Sequence, residues 1–273
     1  MAKRHPRAAQ LRLCVERILP ADMKVAAARR AIAINPSNDP LPAIRKAGLV
    51  GATVHPLKMA LIAGKKWRAK GETLRVRFMD GSKTQRAKVR KQAEEWLSYA
   101  NVKFNWKGGA QAEIRISFEA DDGSWSAVGT DCLHTEYFKK SEPTMNFGWL
   151  RDDTDDVEYR RVVVHEFGHA LGAIHEHQNP KGGIVWNEQA VIAAFSGPPN
   201  NWSAEDILSN VIDKYSLDQL NATSFDPKSI MLYAFPRDLI KGPPSLAKKG
   251  TQENTDLSAK DKTFIGKMYP KGA

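Results

Sequence analysis

The stretch from Val162 to His175, VVVHEFGHALGAIH, holds the residues best spaced for chemistry. His165 and His169 sit four apart, so on an α-helix both imidazoles project from one face and can bind one metal ion together. Glu166 is the adjacent carboxylate, placed to take a proton from a water on that ion. An uninterrupted helix would carry a third ligand away from the first two. Gly172 permits a sharp turn instead, because it meets no Cβ penalty at positive φ, and the turn brings His175 back as the third imidazole. Three protein ligands with a position left open is the coordination of catalytic zinc, whereas structural zinc sites are usually closed with four. One Zn2+ is therefore the expected cofactor. His134 is expected at the surface, and His177 is expected to stabilise the turn.

These side chains need a helix to carry them and a scaffold to hold it. Asp152, Asp153, Asp155 and Asp156 precede the histidines, and acidic residues at a helix N-terminus are stabilised by its dipole. Upstream, Leu74, Val76 and Phe78 alternate with Arg75 and Arg77, which predicts a strand with one buried face. Val89, Ala93, Trp96 and Ala100 follow at helical spacing. NVKFNW and AEIRISF read as two more strands, and TMNFGWL, from Thr144, as a short strand just before the motif. Ser203 with Asp206 and Ser258 with Asp261 form capping boxes, the first for a helix carrying Ile207, Val211 and Tyr215, the second for a helix burying Phe264, Ile265 and Met268. Residues 1 to about 34 read as one or two helices broken at Pro20, with Leu11, Val15, Ile18 and Leu19 at near-helical spacing, and Pro36, Pro40 and Pro42 mark a linker.

The full H-E-x-x-H-x-x-G-x-x-H pattern resembles the metzincin metallopeptidases, which also carry a downstream Met-turn. SIMLY, Ser229 to Tyr233, matches such a turn with Met231 as its methionine. The nearer resemblance is to the astacins: Glu176 follows the third histidine, Tyr233 lies two residues after Met231, and LSAKDKTFIGKMYP is similar to their C-terminal helix. The resemblance spans about residues 61 to 270 and implies an α+β, metzincin-like (zincin) catalytic domain. Its twisted sheet would hold the zinc helix above a cleft, with TMNFGWL as the edge strand that lines it, over a mostly helical lower half, and with a helical N-terminal segment in front. It also implies a zinc-dependent endopeptidase acting on peptides or proteins. Glu166 would be the general base, Tyr233 an additional zinc ligand that swings out to stabilise the oxyanion, and Met231 an apolar floor beneath the metal. Glu176 would anchor a processed N-terminus through a buried ion pair. The chain departs from the astacin pattern after His177, where Gln178, Asn179, Pro180 and Lys181 replace an arginine and acidic residues. Its two cysteines, Cys14 and Cys132, cannot form the disulfides of secreted astacins and read as free thiols.

A division follows: a basic N-terminal segment, residues 1–60, in the position of a propeptide, and a catalytic domain, residues 61–273. Cys14, Asp39 or His55 could block the metal from that segment. The net charge of +10 is uneven, with 22 Lys and Arg against 5 Asp and Glu in residues 1–91 and 19 against 26 in the rest. Such asymmetry suits a solvated face, attraction to an acidic surface such as nucleic acid or anionic lipid, or attraction to the catalytic half itself. No recognised nucleic-acid motif accompanies it, no run approaches a membrane span, and the early apolar run is too short for a signal peptide. A monomer without a secretory address is expected. Two alternatives from other classes are a catalytically silent zinc-binding interaction domain and a protease with a nucleic-acid-binding N-terminal segment.

Overall fold

The computed structural model of the chain describes residues 14–42, 64–69, 71–179, 181–197, 200–213 and 224–271. Leu11, His55, Tyr215 and the boundary at residue 60 lie outside them. Strand β1 (Val15–Glu16) and helix α1 (Ala21–Ile34) come first, then β2 (Glu72–Phe78), α2 (Lys83–Ala93), β3 (Val102–Asn105), β4 (Ile114–Ser117), β5 (Ser124–Ser126) and β6 (Met145–Phe147). The sheet order is β1-β5-β6-β4-β2-β3, parallel throughout except where β5 runs back against β6. Alternation in β2 works as the sequence implies: Leu74 and Val76 are buried while Thr73 and Arg75 face solvent. Helix α2 opens on a capping box between Ser82 and Gln85 and buries Val89, Gln92 and Ala93.

Against α2 and the sheet packs α3 (Asp156–Ala170), the helix that carries the first two histidines. Asp155 caps it by accepting the Glu158 backbone N–H at 2.8 Å, so this acidic residue does the capping work its position predicts. Asp156 instead pairs with Lys88 and Lys91. Three consecutive valines, Val162 to Val164, cost helix propensity of about 0.5 kcal/mol each. Packing overrides that cost, because all three are fully buried along with Tyr159 and Phe167. The end of α3 is held from afar. Trp96 Nε1 donates to Val164 O and Trp67 Nε1 to Ala170 O, both at 2.9 Å, and Tyr269 Oη donates to Leu171 O at 2.7 Å.

Below the cleft lie β7 (Val185–Trp186), α4 (Glu188–Phe195), α5 (Ala204–Ile207) with a π-turn over 208–212, β8 (Ile240–Gly242), α6 (Pro244–Lys249) and α7 (Ala259–Met268). Both capping boxes read from the sequence are formed, at Ser203 with Asp206 and Ser258 with Asp261. The lower half is mostly helical, with β7 and β8 paired antiparallel as its only described sheet. The architecture is the α+β arrangement expected.

Two sequence expectations are overturned. Residues 14–20 are not helical: Val15 and Glu16 are a strand, paired parallel to Trp125 and Ser126, and the helix begins only after Pro20. A near-helical hydrophobic spacing gives way here to pairing with a strand over a hundred residues downstream. TMNFGWL is not the edge strand either. β6 lies between β4 and β5, and β5 is the strand whose outer side is covered by β1.

Candidate metal centre

The helix that carries His165 and His169 ends at Ala170, and Gly172 turns the chain at φ 91°. Gly172 N–H donates to His169 O at 2.7 Å, which closes the turn and sends His175 back towards the helix. The three Nε2 atoms converge. His169 Nε2 lies 3.1 Å from His165 Nε2 and 3.0 Å from His175 Nε2. His165 Nδ1 donates to Ile230 O at 2.8 Å and His169 Nδ1 to Ala173 O at 2.9 Å. Those bonds fix the tautomer of His165 and His169, whose Nε2 atoms then present lone pairs towards the point where all three rings meet. Burial holds all three imidazoles below their ordinary pKa, most strongly His165 and His175, and so keeps them unprotonated. Three buried imidazoles with their Nε2 atoms turned to one point form a donor set that fits a cation, and three neutral imidazoles fit zinc.

Glu166 is fully buried beside them. Burial is the main cause pushing its pKa up to about 8; the Cys14 thiol and Arg161 act in the opposite sense, and the Glu16 carboxylate adds to the rise. Tyr233 Oη is in contact with His175 Nε2 and with the Cys14 carbonyl. Burial, then the neighbouring Cys14, Glu166 and Glu16, hold its phenol well above the usual tyrosine value.

The turn Ser229–Tyr233 is clamped from two sides. Asp261, on the last helix, accepts Ser229 Oγ at 2.6 Å and Ile230 N at 2.8 Å, and Met231 O accepts Glu176 N at 2.9 Å. Met231 packs under the zinc helix at Gly168. Glu176 is half-enclosed by donors from Asn179 and the Asp226 backbone, at 3.0 and 2.8 Å, and burial raises its pKa to about 7. It lines a cavity with Met231, Asp226, Asp261 and Lys260.

His134 is half-buried and outside this cluster, and His177 bonds Asn210 O at 2.8 Å while stacking on His175. Asp39 accepts the Leu41 backbone N–H instead of approaching the metal site. Cys14 does approach it: its Sγ, a His165 ring nitrogen and a Glu166 oxygen lie within 4.8 Å of one another. Two residues of the site escape a reading of the sequence. Glu16 is buried with Oε1 3.3 Å from His175 Nδ1 and 3.6 Å from His169 Nδ1. Its signal is the period of two from Cys14, invisible while that segment reads as helix. Gly168 lies inside the motif but at one of its unspecified positions.

The chain is similar to myroilysin in two solved structures. One is 39% identical with a TM-score of 0.70, covering 77% of this chain and 97% of that one. The other is 40% identical with a TM-score of 0.58, covering 76% and 86%. A hatching enzyme of the medaka fish Oryzias latipes, the zinc-protease high choriolytic enzyme 1, shares the fold at 19% identity and a TM-score of 0.53, over 75% of this chain and 94% of that one. No family model matches the chain, and no curated protein does. With the myroilysin likeness, the three-histidine cluster and the turn below it, the chain belongs to the astacin-like zinc metallopeptidases of the metzincin clan, hydrolases of peptide bonds with one catalytic zinc.

Proposed function

We propose that this chain is a latent zinc endopeptidase whose residues 14–17 occupy its own cleft. His165, His169 and His175 would hold the metal through Nε2. Zinc, when bound, supplies the Lewis acidity that makes water a nucleophile near neutral pH and polarises the scissile carbonyl. Glu166 accepts the water proton and passes it to the leaving amine, for which its place on the helix beside His165 suits it. Tyr233 Oη donates to the developing oxyanion once it leaves the Cys14 carbonyl. Met231 floors the site without ligating. An intact Glu166 favours this reading over a silent binding domain, which would have no use for a base.

The observation that carries the proposal is the convergence of three buried Nε2 atoms next to a buried carboxylate, with Cys14 beside them. A thiolate is a good zinc ligand, so Cys14 would fill the position that water needs. The segment is held down by strand pairing to β5, by Arg17 on Asp122, and by Arg30 on Leu133 O at 2.6 Å. These contacts favour attraction of the basic segment to the catalytic half over a nucleic-acid role. Peptide cleavage by the full chain, before and after limited proteolysis and with and without a chelator, tests the proposal. Cleavage that rises after proteolysis and vanishes with chelator is expected. Equal cleavage before and after removes the latency, and chelator-insensitive cleavage removes the metal mechanism.

A further inference from the structure

Arg17 is held by a clamp at the rim of the cleft. Its guanidinium pairs with Asp122 and lies over the Trp125 ring at 4.5 Å from the centroid, while Trp125 Nε1 donates to the other Asp122 oxygen at 2.7 Å. The clamp is built into the fold. Asn146 Nδ2 donates to Glu119 O at 2.9 Å and Gly123 O at 2.6 Å, fixing the loop that presents Asp122, and Trp125 is central in β5. Strand geometry separates the two faces of β1. Cys14 and Glu16 turn to the histidines, and Arg17 turns the other way, onto Trp125. Arg17 stands about 10 Å along the chain from Cys14, which is two to three residues from where a cleaved bond would lie.

We propose that Asp122 and Trp125 form a substrate subsite for a basic side chain, arginine or lysine, and that Arg17 is its occupant in the latent chain. This rests on the reading that residues 14–17 fill the cleft and leave it on activation. An extended substrate that takes the place of β1 on β5 leaves a carboxylate and an indole face where Arg17 was, and a guanidinium or ammonium two to three residues from the cut restores both contacts. The pair is partly open to solvent, with Arg17 and Asp122 side chains 36% and 38% exposed. Screening therefore limits the preference to about three- to tenfold.

The test uses full-length zinc enzyme activated by limited proteolysis. Peptides carrying Arg, Lys, Ala or Glu at each position within three residues of one cut are compared by kcat/KM, for wild type, Asp122→Asn and Asp122→Lys. At one position the wild type should prefer Arg and Lys over Ala by about three- to tenfold, with Glu worst. Asp122→Asn should erase that ratio, and Asp122→Lys should reverse it in favour of Glu, which a purely structural role for Asp122 would not do. Should Asp122→Lys fail to fold, the Asp122→Asn ratio decides alone. Activation without any basic preference overturns this inference and leaves the latency standing. No gain of cleavage on activation overturns the latency and this inference with it.

Discussion

A Cβ built on Gly168 would stand 2.5 Å from Met231 Sδ and 3.2 Å from Trp96 Cζ2, so the turn methionine packs on the zinc helix where that helix has no side chain. The contact ties the floor of the site to the helix that carries His165 and His169. Gly168→Ala gains helix propensity of about 0.8–1 kcal/mol but forces Met231 and the turn away, an overpacking cost of about 1–3 kcal/mol. We expect a lower melting temperature and weaker zinc retention in competition with a chelator. A variant as stable as wild type, with unchanged zinc retention, would show that the contact is soft.

Tyr233 touches His175 Nε2 and the Cys14 carbonyl through its hydroxyl, while its ring stacks on His165, a contact that phenylalanine keeps. In the activated enzyme Tyr233→Phe should lower kcat by about 10²–10³-fold, the range for loss of one oxyanion donor, with KM and zinc content little changed. A loss of zinc in parallel with activity would instead make Tyr233 a structural ligand.

Cys14 is buried against Glu166, and burial together with that carboxylate raises its thiol pKa. Cys14→Ser keeps the shape but offers a far poorer zinc ligand. The full-length variant should cleave peptides at least about tenfold faster than full-length wild type, measured before any proteolysis. Unchanged latency would mean that strand pairing and the Arg17 clamp alone close the cleft.

Asp261 anchors the Met-turn to the last helix, accepting Ser229 Oγ, Ile230 N and Ser258 N. Burial raises its pKa against those hydrogen bonds, and Asp226 adds to the rise. The folded chain then holds this proton at pH values where the unfolded chain has released it. Its contribution therefore falls as pH rises from the usual aspartate range through the folded value. Asp261→Asn should flatten that slope in urea titrations at several pH values. It should also cost about 1–3 kcal/mol, because an amide N–H then faces a donor. An unaltered slope would place the titration elsewhere.

Much of the candidate site is legible from residue types alone, because the residues that would hold the metal are local. His165, Glu166, His169, Gly172 and His175 lie within one helix and the turn that ends it, where spacing translates directly into direction. The capping boxes at Ser203 and Ser258 are legible for the same reason. What stays hidden depends on partners distant in sequence. β1 is two residues long and exists through pairing with Trp125 and Ser126, so its own pattern imitates a helix. The place of β6 inside the sheet depends on β5 folding back beside it. Gly168 acquires meaning only when Met231, 63 positions later in the numbering, is seen beneath it.

The account stands most directly on Glu166. Zinc content and peptide cleavage should be measured together on activated wild type and activated Glu166→Ala. We predict about one zinc per chain in both, and cleavage reduced by about 10²–10⁴-fold in the variant. A variant that keeps its zinc and still cleaves at the wild-type rate would contradict the account, since the proton would then be moved by another group.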